Sequence, residues 1–381
     1  MGRKYSKAAL VLTPLLLILF ALVLGELFLR AWFNLLPPLN NNLLPPEKSG
    51  LHLFQPSVGN VFYAVKPDQR QSFLRHEFRI DVRTNNIGLR ENEDFLGEHV
   101  DIGFIGDSYT FGWGVEAGER YSDVVADAFP DLAVASYAYP NGYAPIHYLS
   151  FLQQRPELIP DVLVLGLFAF NDLADDTADA VIEERDGQII NVGSRTLEVD
   201  PDGFIVNKGS QPPPFPSLDW WFRHTAIGRT ITVARQQLNT KGEAPEKPGE
   251  FRAIDRGEWD ETAKLALEHV KRIQALAQQA GSTLLVFYIP FPSYIVDTPI
   301  CIYSPERCGE QLNSNRLGEA LAEWAASENI LFIDPVGYFR ILSSQDQDLY
   351  FPYDGHWTTR GHAAAGKLIA DYLKMYGLVP D

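Results

Sequence analysis

The chain has 381 residues, of which 46% are hydrophobic, and it carries a formal net charge of −17 at pH 7. This length and apolar content are enough to bury a large core, in one elaborated domain or two modest ones, and they exclude an intrinsically disordered chain. Nucleic-acid binding is disfavoured, because contacts to phosphates need clustered lysine and arginine. The acidic balance identifies no protein partner.

The N-terminal segment is apolar from Ala8 to Leu24, and apolar residues continue beyond it. Such a run approaches the ~20 residues that cross a bilayer. Three basic residues precede it and only Arg30 follows closely, so the positive-inside rule predicts a cytoplasmic N-terminus and a periplasmic or extracellular remainder. A cleaved signal peptide, processed near Gly25, is the alternative. The apolar residues past Gly25 favour a retained, single-pass membrane anchor over residues 1–34.

Two short regions follow the apolar segment. Residues 35–50 are rich in proline and asparagine, which predicts an extended, semi-rigid stalk. Residues 51–100 contain alternating stretches such as 78–84, the period-2 pattern of half-buried strands. We therefore expect a small β-rich region before the main domain.

The chain has two cysteines, Cys301 and Cys308, which flank a turn-rich stretch. In an oxidising compartment they can pair, and a disulfide that closes this loop is the preferred interpretation. Two free thiols are the alternative. A metal site is disfavoured, because no histidine or second cysteine pair lies nearby in the sequence.

From Asp101 onward, short apolar runs alternate with amphipathic segments. The runs of strand length are 102–105, 133–136, 162–168, 283–289 and 330–333. Segments with helical character are 259–280, 313–327 and 361–376. This alternation predicts an α/β domain over residues 101–381, a three-layer α/β/α sandwich with a five-stranded parallel sheet of the flavodoxin-like kind. The functional loops then lie at the carboxyl ends of the strands.

A long excursion, residues 173–258, separates the third strand from the fourth. It resembles an insertion, with one hairpin around Asp186-Gly187 and a second turn at Asp202-Gly203. Residues 212–216 and 241–250 are expected to be loops. The insertion either shapes access to a site or is a plain decorative loop.

Two motifs at opposite ends of this domain predict chemistry. Gly106-Asp107-Ser108 follows the first strand, where a serine hydroxyl is exposed and can act as a nucleophile. Asp354-Gly355-His356 precedes the last helix, and it supplies a base and a carboxylate that orients it. Each motif alone is common in turns and helix caps. Together, in this order, they predict a Ser108–His356–Asp354 catalytic triad.

The chain resembles the SGNH (GDSL-type) hydrolase superfamily from about residue 101 to the end. Gly106-Asp107-Ser108 matches the nucleophile block, and Asn171-Asp172 matches the block that supplies a side-chain oxyanion donor, with Ala169 where glycine is usual. The resemblance implies that the oxyanion is held by the backbone N–H groups of Ser108 and Gly142 and by the Asn171 amide. The Asp-x-His-Trp form is similar to that of alginate O-acetyltransferase-like members.

This resemblance implies an enzyme that needs no metal or organic cofactor. Its expected activity is that of a membrane-anchored, extracytoplasmic serine esterase, acting through an acyl-enzyme on O-acyl groups of a glycan or on another ester. The alternatives are an O-acyltransferase for a cell-surface or exported polysaccharide and a non-catalytic envelope binding or scaffold protein of the same fold.

Other polar residues are weaker candidates for a site. His362, at the start of the last helix, is expected to cap or pack, and His147 is expected to pack on its helix. Arg90 is expected to have a structural or substrate-orienting role. The acidic residues from Asp172 to Asp179 lack the spacing of a calcium loop, and they favour a solvated acidic face.

Overall fold

The computed structural model describes residues 7–45, 48, 50–57, 62–95, 97–140, 143–168, 171–175, 180–210, 214–240, 257–295, 315–345 and 347–380, without the side chains of 7–11, 174–175 and 236–240. These residues belong to two compact units. The smaller unit comprises Met1–Gly50, Phe73–Glu77 and Ser210–Ala244. The larger unit comprises Leu51–Ser72, Phe78–Gly209 and Pro245–Asp381.

The strands of the described chain are β1 Phe54–Pro56, β2 Tyr63–Val65, β3 Arg70–Leu74, β4 Arg79–Arg83, β5 Ile102–Ile105, β6 Val134–Ser136, β7 Val162–Phe168, β8 Ala180–Arg185, β9 Gln188–Ser194, β10 Leu197–Val199, β11 Ile205–Asn207, β12 Thr283–Ile289 and β13 Leu331–Ile333. The helices are α1 Lys7–Leu35, α2 Ser108–Phe111, α3 Tyr121–Ala128, α4 Pro145–Gln154, α5 Asp172–Asp175, α6 Leu218–His224, α7 Ala226–Thr240, α8 Glu261–Gln279, α9 Arg316–Ser327, α10 Val336–Ser343 and α11 Thr359–Met375.

The centre of the larger unit is a five-stranded sheet in the order β13-β12-β7-β5-β6, and its strand pairs are parallel. Every residue of β7 is buried, and β12 is buried from Leu284 onward. Strands covered on both faces need such continuous apolar runs. The predicted α/β fold with a five-stranded parallel sheet is therefore confirmed.

The strand order places the functional loops. Numbered along the chain, the sheet runs 2-1-3-4-5, so the direction of winding reverses between β5 and β7. Loops that leave neighbouring strands at such a reversal diverge and open a crevice at the carboxyl edge of the sheet. Ser108 follows β5 and Asn171 follows β7, so the two residues flank this crevice.

The insertion contains the predicted hairpin around Asp186-Gly187, and the predicted turn at Asp202-Gly203 joins a second pair of strands. Strands β8 and β9 pair antiparallel around Asp186-Gly187, both of which have positive φ, and β10 and β11 pair around a turn at Gly203. The insertion also contains α6 and α7, for which we had no prediction. The expected loop at 241–250 lies outside the described residues.

The smaller unit contains the long apolar helix α1. Its segment Leu12–Leu35 has a mean hydropathy of 2.5 and is not buried, and among the described residues it is the helix long and apolar enough to cross a membrane. A signal sequence and a membrane anchor both have these properties. The extended conformation expected after α1 is wrong for Asn41–Leu43, which form a 3-10 turn capped by the Asn40 side chain.

Candidate active site

The turn after β5 presents Ser108 at the carboxyl edge of the sheet. Asp107 is the N-cap of α2, and its side chain accepts a hydrogen bond from the Tyr109 N–H. Gly106 permits close packing against α2 and β7, because a Cβ atom there would lie 2.1 Å from Thr110 Oγ1 and 2.9 Å from the Gly166 carbonyl oxygen. Ser108 is the first residue of α2, and N–H groups in the first turn have no acceptor within the helix.

Ser108, His356 and Asp354 form a continuous hydrogen-bonded chain. Ser108 Oγ lies 2.8 Å from His356 Nε2, and His356 Nδ1 lies 2.6 Å from Asp354 Oδ1. The carboxylate can only accept, so the imidazole carries its proton on Nδ1 and turns the Nε2 lone pair towards the serine. The imidazole and carboxylate side chains are 13% and 16% exposed, which leaves the site open to a substrate.

Asp354 and His356 lie on one short hairpin. An antiparallel bridge joins Tyr350 to Trp357, and the Phe351 N–H donates to the His356 carbonyl oxygen at 2.8 Å. Gly355, between acid and base, has a φ of +83°, a left-handed conformation that favours glycine. The tight turn therefore accounts for the single residue between Asp354 and His356.

Trp357 fixes this hairpin in the core. Its side chain is fully buried, and its ring packs against aromatic rings from several elements. The surrounding rings are those of Tyr109, Tyr121, Phe287, Phe339, Tyr350 and His362, at centroid distances of 5.0 to 6.5 Å. The tryptophan next to His356 thus has a packing role that the sequence motif did not reveal.

Two side chains near Ser108 reach across to the hairpin. Trp113 donates its indole Nε1–H to Asp354 Oδ2 at 3.3 Å, and the Tyr109 hydroxyl donates to the Gly355 carbonyl oxygen at 2.9 Å. The Tyr109 ring also lies 4.7 Å from the His356 ring. These residues follow the serine in sequence, so the segment that carries Ser108 also orients Asp354 and His356. We did not predict either role.

The expected oxyanion donors are only partly described. Asn171 lies beside the nucleophile turn, where its Nδ2 donates to Asp107 Oδ2 at 3.3 Å. Its Oδ1 is buried and makes no hydrogen bond with the described residues. Gly142 lies outside the described residues. The Asn171 amide is therefore positioned by Asp107, and its second N–H remains for a ligand.

Asp107 and Asp172 are buried carboxyl groups beside the site. Burial raises the pKa of Asp107 to about 6, against the opposing effects of the Tyr109 N–H and of His356. Asp172 accepts hydrogen bonds from the Phe168 N–H at 2.9 Å and the Tyr148 hydroxyl at 3.2 Å. The expected solvated acidic face is therefore wrong for Asp172, which joins the end of β7 to α4.

Arg90 stabilises the loop after α2 and does not face the serine. It is 2% exposed, and it donates to the carbonyl oxygens of Phe111, Gly112 and Val115 at 2.7 to 2.8 Å. Burial and the nearby Arg120 guanidinium lower the pKa of Arg90 to about 9. Of the two roles expected for Arg90, these contacts favour the structural one.

The other histidine candidates pack away from the reacting groups. His362 is buried in the first turn of α11, where its Nδ1 accepts the Tyr121 N–H at 3.2 Å, and burial lowers the pKa of His362 to about 3. His147 Nδ1 accepts the Ala144 N–H at the start of α4. The cysteine pair, Cys301 and Cys308, lies outside the described residues.

A group with metal-ligand chemistry lies elsewhere on the larger unit. His99, Asp101 and Asp161 have ligand atoms within 4.8 Å of one another on the surface. Asp101 precedes β5 and Asp161 precedes β7, so the group lies at the amino edge of the sheet, opposite the serine. It therefore takes no part in the chemistry of Ser108.

Comparison with known proteins identifies the family. The sequence model of the GDSL-like lipase/acylhydrolase family matches residues 104–364, which include the turn with Ser108 and the hairpin with His356. The chain belongs to this family. It is an ester hydrolase of the SGNH/GDSL type.

Solved structures with a similar fold are distant in sequence. TesA is 11% identical, with a TM-score of 0.36 over 73% of this chain and 99% of TesA. The acetyl xylan esterase AlAXEase is 13% identical, with a TM-score of 0.35 over 74% of this chain and 100% of its own. The esterase EstA from Pseudoalteromonas sp. is 11% identical, with a TM-score of 0.35 over 72% of this chain and 97% of EstA. No curated protein matches the chain. These low scores add nothing to the assignment.

Proposed function

We propose that Ser108 is the nucleophile of a serine esterase, with His356 as its general base and Asp354 as the group that orients the base. The observation that carries this proposal is the hydrogen-bonded chain from Ser108 Oγ through the imidazole to the Asp354 carboxylate. A neutral hydroxyl is a weak nucleophile, so attack needs a base at hydrogen-bonding distance from it. His356 Nε2 meets that requirement.

The reaction proceeds through an acyl-enzyme. Ser108 Oγ attacks the ester carbonyl carbon as His356 takes the hydroxyl proton, and Asp354 stabilises the resulting imidazolium. The oxyanion receives hydrogen bonds from the Ser108 N–H, the Asn171 amide and the Gly142 N–H. Collapse expels the alcohol, which takes the proton from His356. Water then attacks the acyl-enzyme by the same steps and releases the acid.

The larger unit works outside the cytoplasm in this proposal. Helix α1 forms a retained anchor, and residues 35–50 link it to the β-rich region of 51–100. The basic residues before its apolar segment keep the N-terminus in the cytoplasm. Reporter fusions test this topology. A C-terminal alkaline phosphatase fusion is expected to be active and a C-terminal green fluorescent protein fusion dark. The reverse result would refute the orientation.

The proposed substrate is an O-acyl group on a glycan. Support comes from the proposed anchoring beside a membrane and from the likeness of the Asp354–Trp357 segment to alginate O-acetyltransferase-like proteins. That likeness also favours a second function, acyl transfer to a polysaccharide hydroxyl. Esterase and transferase share the acyl-enzyme and differ in whether water or a sugar hydroxyl attacks it.

The decisive experiment compares the full chain with its Ser108→Ala variant in lipid nanodiscs. The wild type is expected to hydrolyse a p-nitrophenyl ester and to be labelled by a fluorophosphonate, and Ser108→Ala is expected to do neither. Ser327→Ala, which alters an exposed serine, is the matched control and should behave as the wild type. Labelling that persists in Ser108→Ala would refute the assignment of the nucleophile.

The same preparation separates the two functions. An acetylated oligosaccharide is incubated alone and then with a second, unacetylated glycan. Release of free acetate in the first case identifies the esterase. Acetate that appears on the second glycan, with little free acetate, identifies the transferase.

A further inference from the structure

The position of charged residues on α1 indicates where a membrane would end. Lys7 and Glu26 are 19 residues apart, which is about 29 Å along a helix axis, close to the ~30 Å of the hydrocarbon layer. Glu26 also forms an ion pair with Arg30 at 2.6 Å. Charged side chains avoid the hydrocarbon layer, so Glu26 and Arg30 mark its outer boundary. Trp32 then lies where aromatic residues are enriched in membrane proteins.

Helix α7 is attached to α1 at this same depth. The two Glu26 carboxylate oxygens accept hydrogen bonds from the Ala226 and Ile227 N–H groups at 2.9 and 3.0 Å. These N–H groups open α7, where an anion is favoured by the helix dipole. Arg30 also donates to the carbonyl oxygen of His224, the last residue of α6. The junction of α6 and α7 therefore lies at the outer boundary of the hydrocarbon layer.

Apolar side chains with exposed surface lie in the chain on both sides of this junction, and we call them the interfacial patch. It consists of Phe215, Leu218, Trp220 and Ile231, of which Phe215 and Leu218 are 73% and 71% exposed. The Phe215 ring packs against Trp220 at 4.8 Å, so the two rings form one surface. Large apolar side chains this exposed, next to a helix that can cross a membrane, suit a lipid environment.

The charge of the same segment suits lipid headgroups. Helices α6 and α7 contain three arginines and one acidic residue, Asp219. Arg229 is buried and donates to backbone carbonyl oxygens, so Arg223 and Arg235 are the arginines on the surface. The chain as a whole has a formal charge of −17, so this local excess of positive charge runs against its composition. Basic groups near a bilayer are attracted to anionic headgroups.

We propose that residues 215–240 lie in the headgroup layer of the membrane that α1 crosses, with the interfacial patch inserted among the acyl chains. The inference rests on the proposed anchoring by α1. The chain then contacts the membrane through two elements, and the Glu26 carboxylate joins them.

Spin labels test the proposal in the full chain, with both cysteines replaced by serine and the protein in nanodiscs that contain anionic lipid. Labels at Phe215→Cys and Leu218→Cys are expected to be more accessible to oxygen, and less accessible to a water-soluble nickel chelate, than a label at Met375→Cys. Met375 is 64% exposed in the larger unit and serves as the aqueous control. A label at Leu19→Cys, within α1, shows whether α1 lies in the membrane.

Each pattern of accessibility has one meaning. Aqueous values at positions 215 and 218, with a lipid value at 19, would overturn the proposal and leave the anchor intact. Exclusion of both reagents at 215 and 218 would indicate a covering protein surface and would also overturn it. An aqueous value or loss of the label at 19 would refute the anchor, and the proposal with it.

A second measurement keeps both cysteines. In nanodiscs made with brominated lipid, Trp220→Phe is expected to lower the quenched fraction of tryptophan emission relative to the wild type. Trp324→Phe, on α9 of the larger unit, is the matched control and is expected to raise that fraction. Equal changes in the two variants would overturn the proposal.

Discussion

The buried carboxyl group of Asp107 is expected to decrease stability at neutral pH. Its pKa is raised from 3.8 to about 6 because burial penalises the ionised form. A carboxyl group with a higher pKa in the folded state binds more protons when folded, so stability falls as pH rises from about 4 to about 6. The rise of the pKa from 3.8 to about 6 corresponds to a destabilisation of the folded state by about 3 kcal/mol above that window.

The variant Asp107→Asn is therefore expected to be more stable than the wild type at pH 8. Asparagine is neutral and is also a good N-cap, so the bond to the Tyr109 N–H is retained. An advantage of up to about 3 kcal/mol raises Tm by about 6 °C in a domain of about 280 residues. At pH 4 the carboxyl is protonated and the advantage should disappear. Thermal unfolding at both pH values, followed by tryptophan fluorescence, measures the difference.

The same substitution is expected to lower activity. Asp107 Oδ2 accepts the Asn171 amide, whereas an asparagine at position 107 can direct an NH2 group at it. The Asn171 amide must then turn, which removes a donor from the oxyanion and lowers kcat on a p-nitrophenyl ester by about 10²-fold. Asp371→Asn, an exposed substitution on α11, is the control for both measurements.

Two results would refute this reasoning. A Tm difference that is the same at pH 4 and pH 8 would show that ionisation of Asp107 does not affect folding. A wild-type kcat in Asp107→Asn would show that Asp107 does not position Asn171.

Three further substitutions test the surroundings of the site. Trp113→Phe removes the indole hydrogen bond to Asp354. A loss of about 1 kcal/mol of transition-state stabilisation should lower kcat about fivefold and leave KM unchanged. A rise in KM alone would contradict the positioning role. Gly355→Ala places a Cβ on a residue with a φ of +83°, at a cost of about 1–2 kcal/mol. Its Tm and kcat should both fall, and a fall in Tm alone would mean that the hairpin tolerates the strain. Arg90→Met leaves three carbonyl oxygens without their donor, so the free energy of unfolding, measured with denaturant, should fall by at least about 3 kcal/mol. A fall of less than about 1 kcal/mol would show that other groups satisfy these acceptors.

The parallel sheet was predictable because its strands must be apolar throughout. Strands β7 and β12 are continuous apolar runs in the sequence and are buried in the structure. Short elements such as α10 were not predicted, because eight residues span little more than two turns and leave a weak periodic pattern. The packing of the sheet decides the conformation of such segments more than their own sequence does.

The site was predictable where its residues form motifs. The proximity of Ser108, Asp354 and His356 could be predicted because each lies in a motif at the end of a strand or before a helix. The bond between Asn171 and Asp107 could not be predicted, since it joins positions 64 residues apart whose side chains look like ordinary turn residues. The burial of Asp172 was missed because an acidic run in a sequence favours solvent exposure.

The hairpin that carries both Asp354 and His356 also simplifies assembly of the site during folding. The acid and the base are two residues apart, whereas 248 residues separate His356 from Ser108. Only one long chain closure is therefore needed to bring the three groups together, and the entropy of a second closure is avoided. The entropic cost of that single closure grows only logarithmically with the length of the chain between Ser108 and His356, by about 0.6 kcal/mol for each doubling. Changes in the length of the 173–258 insertion therefore alter this cost little. Natural or engineered replacement of the insertion should also leave the Asp354–His356 pair intact, because the hairpin that carries both residues lies outside it.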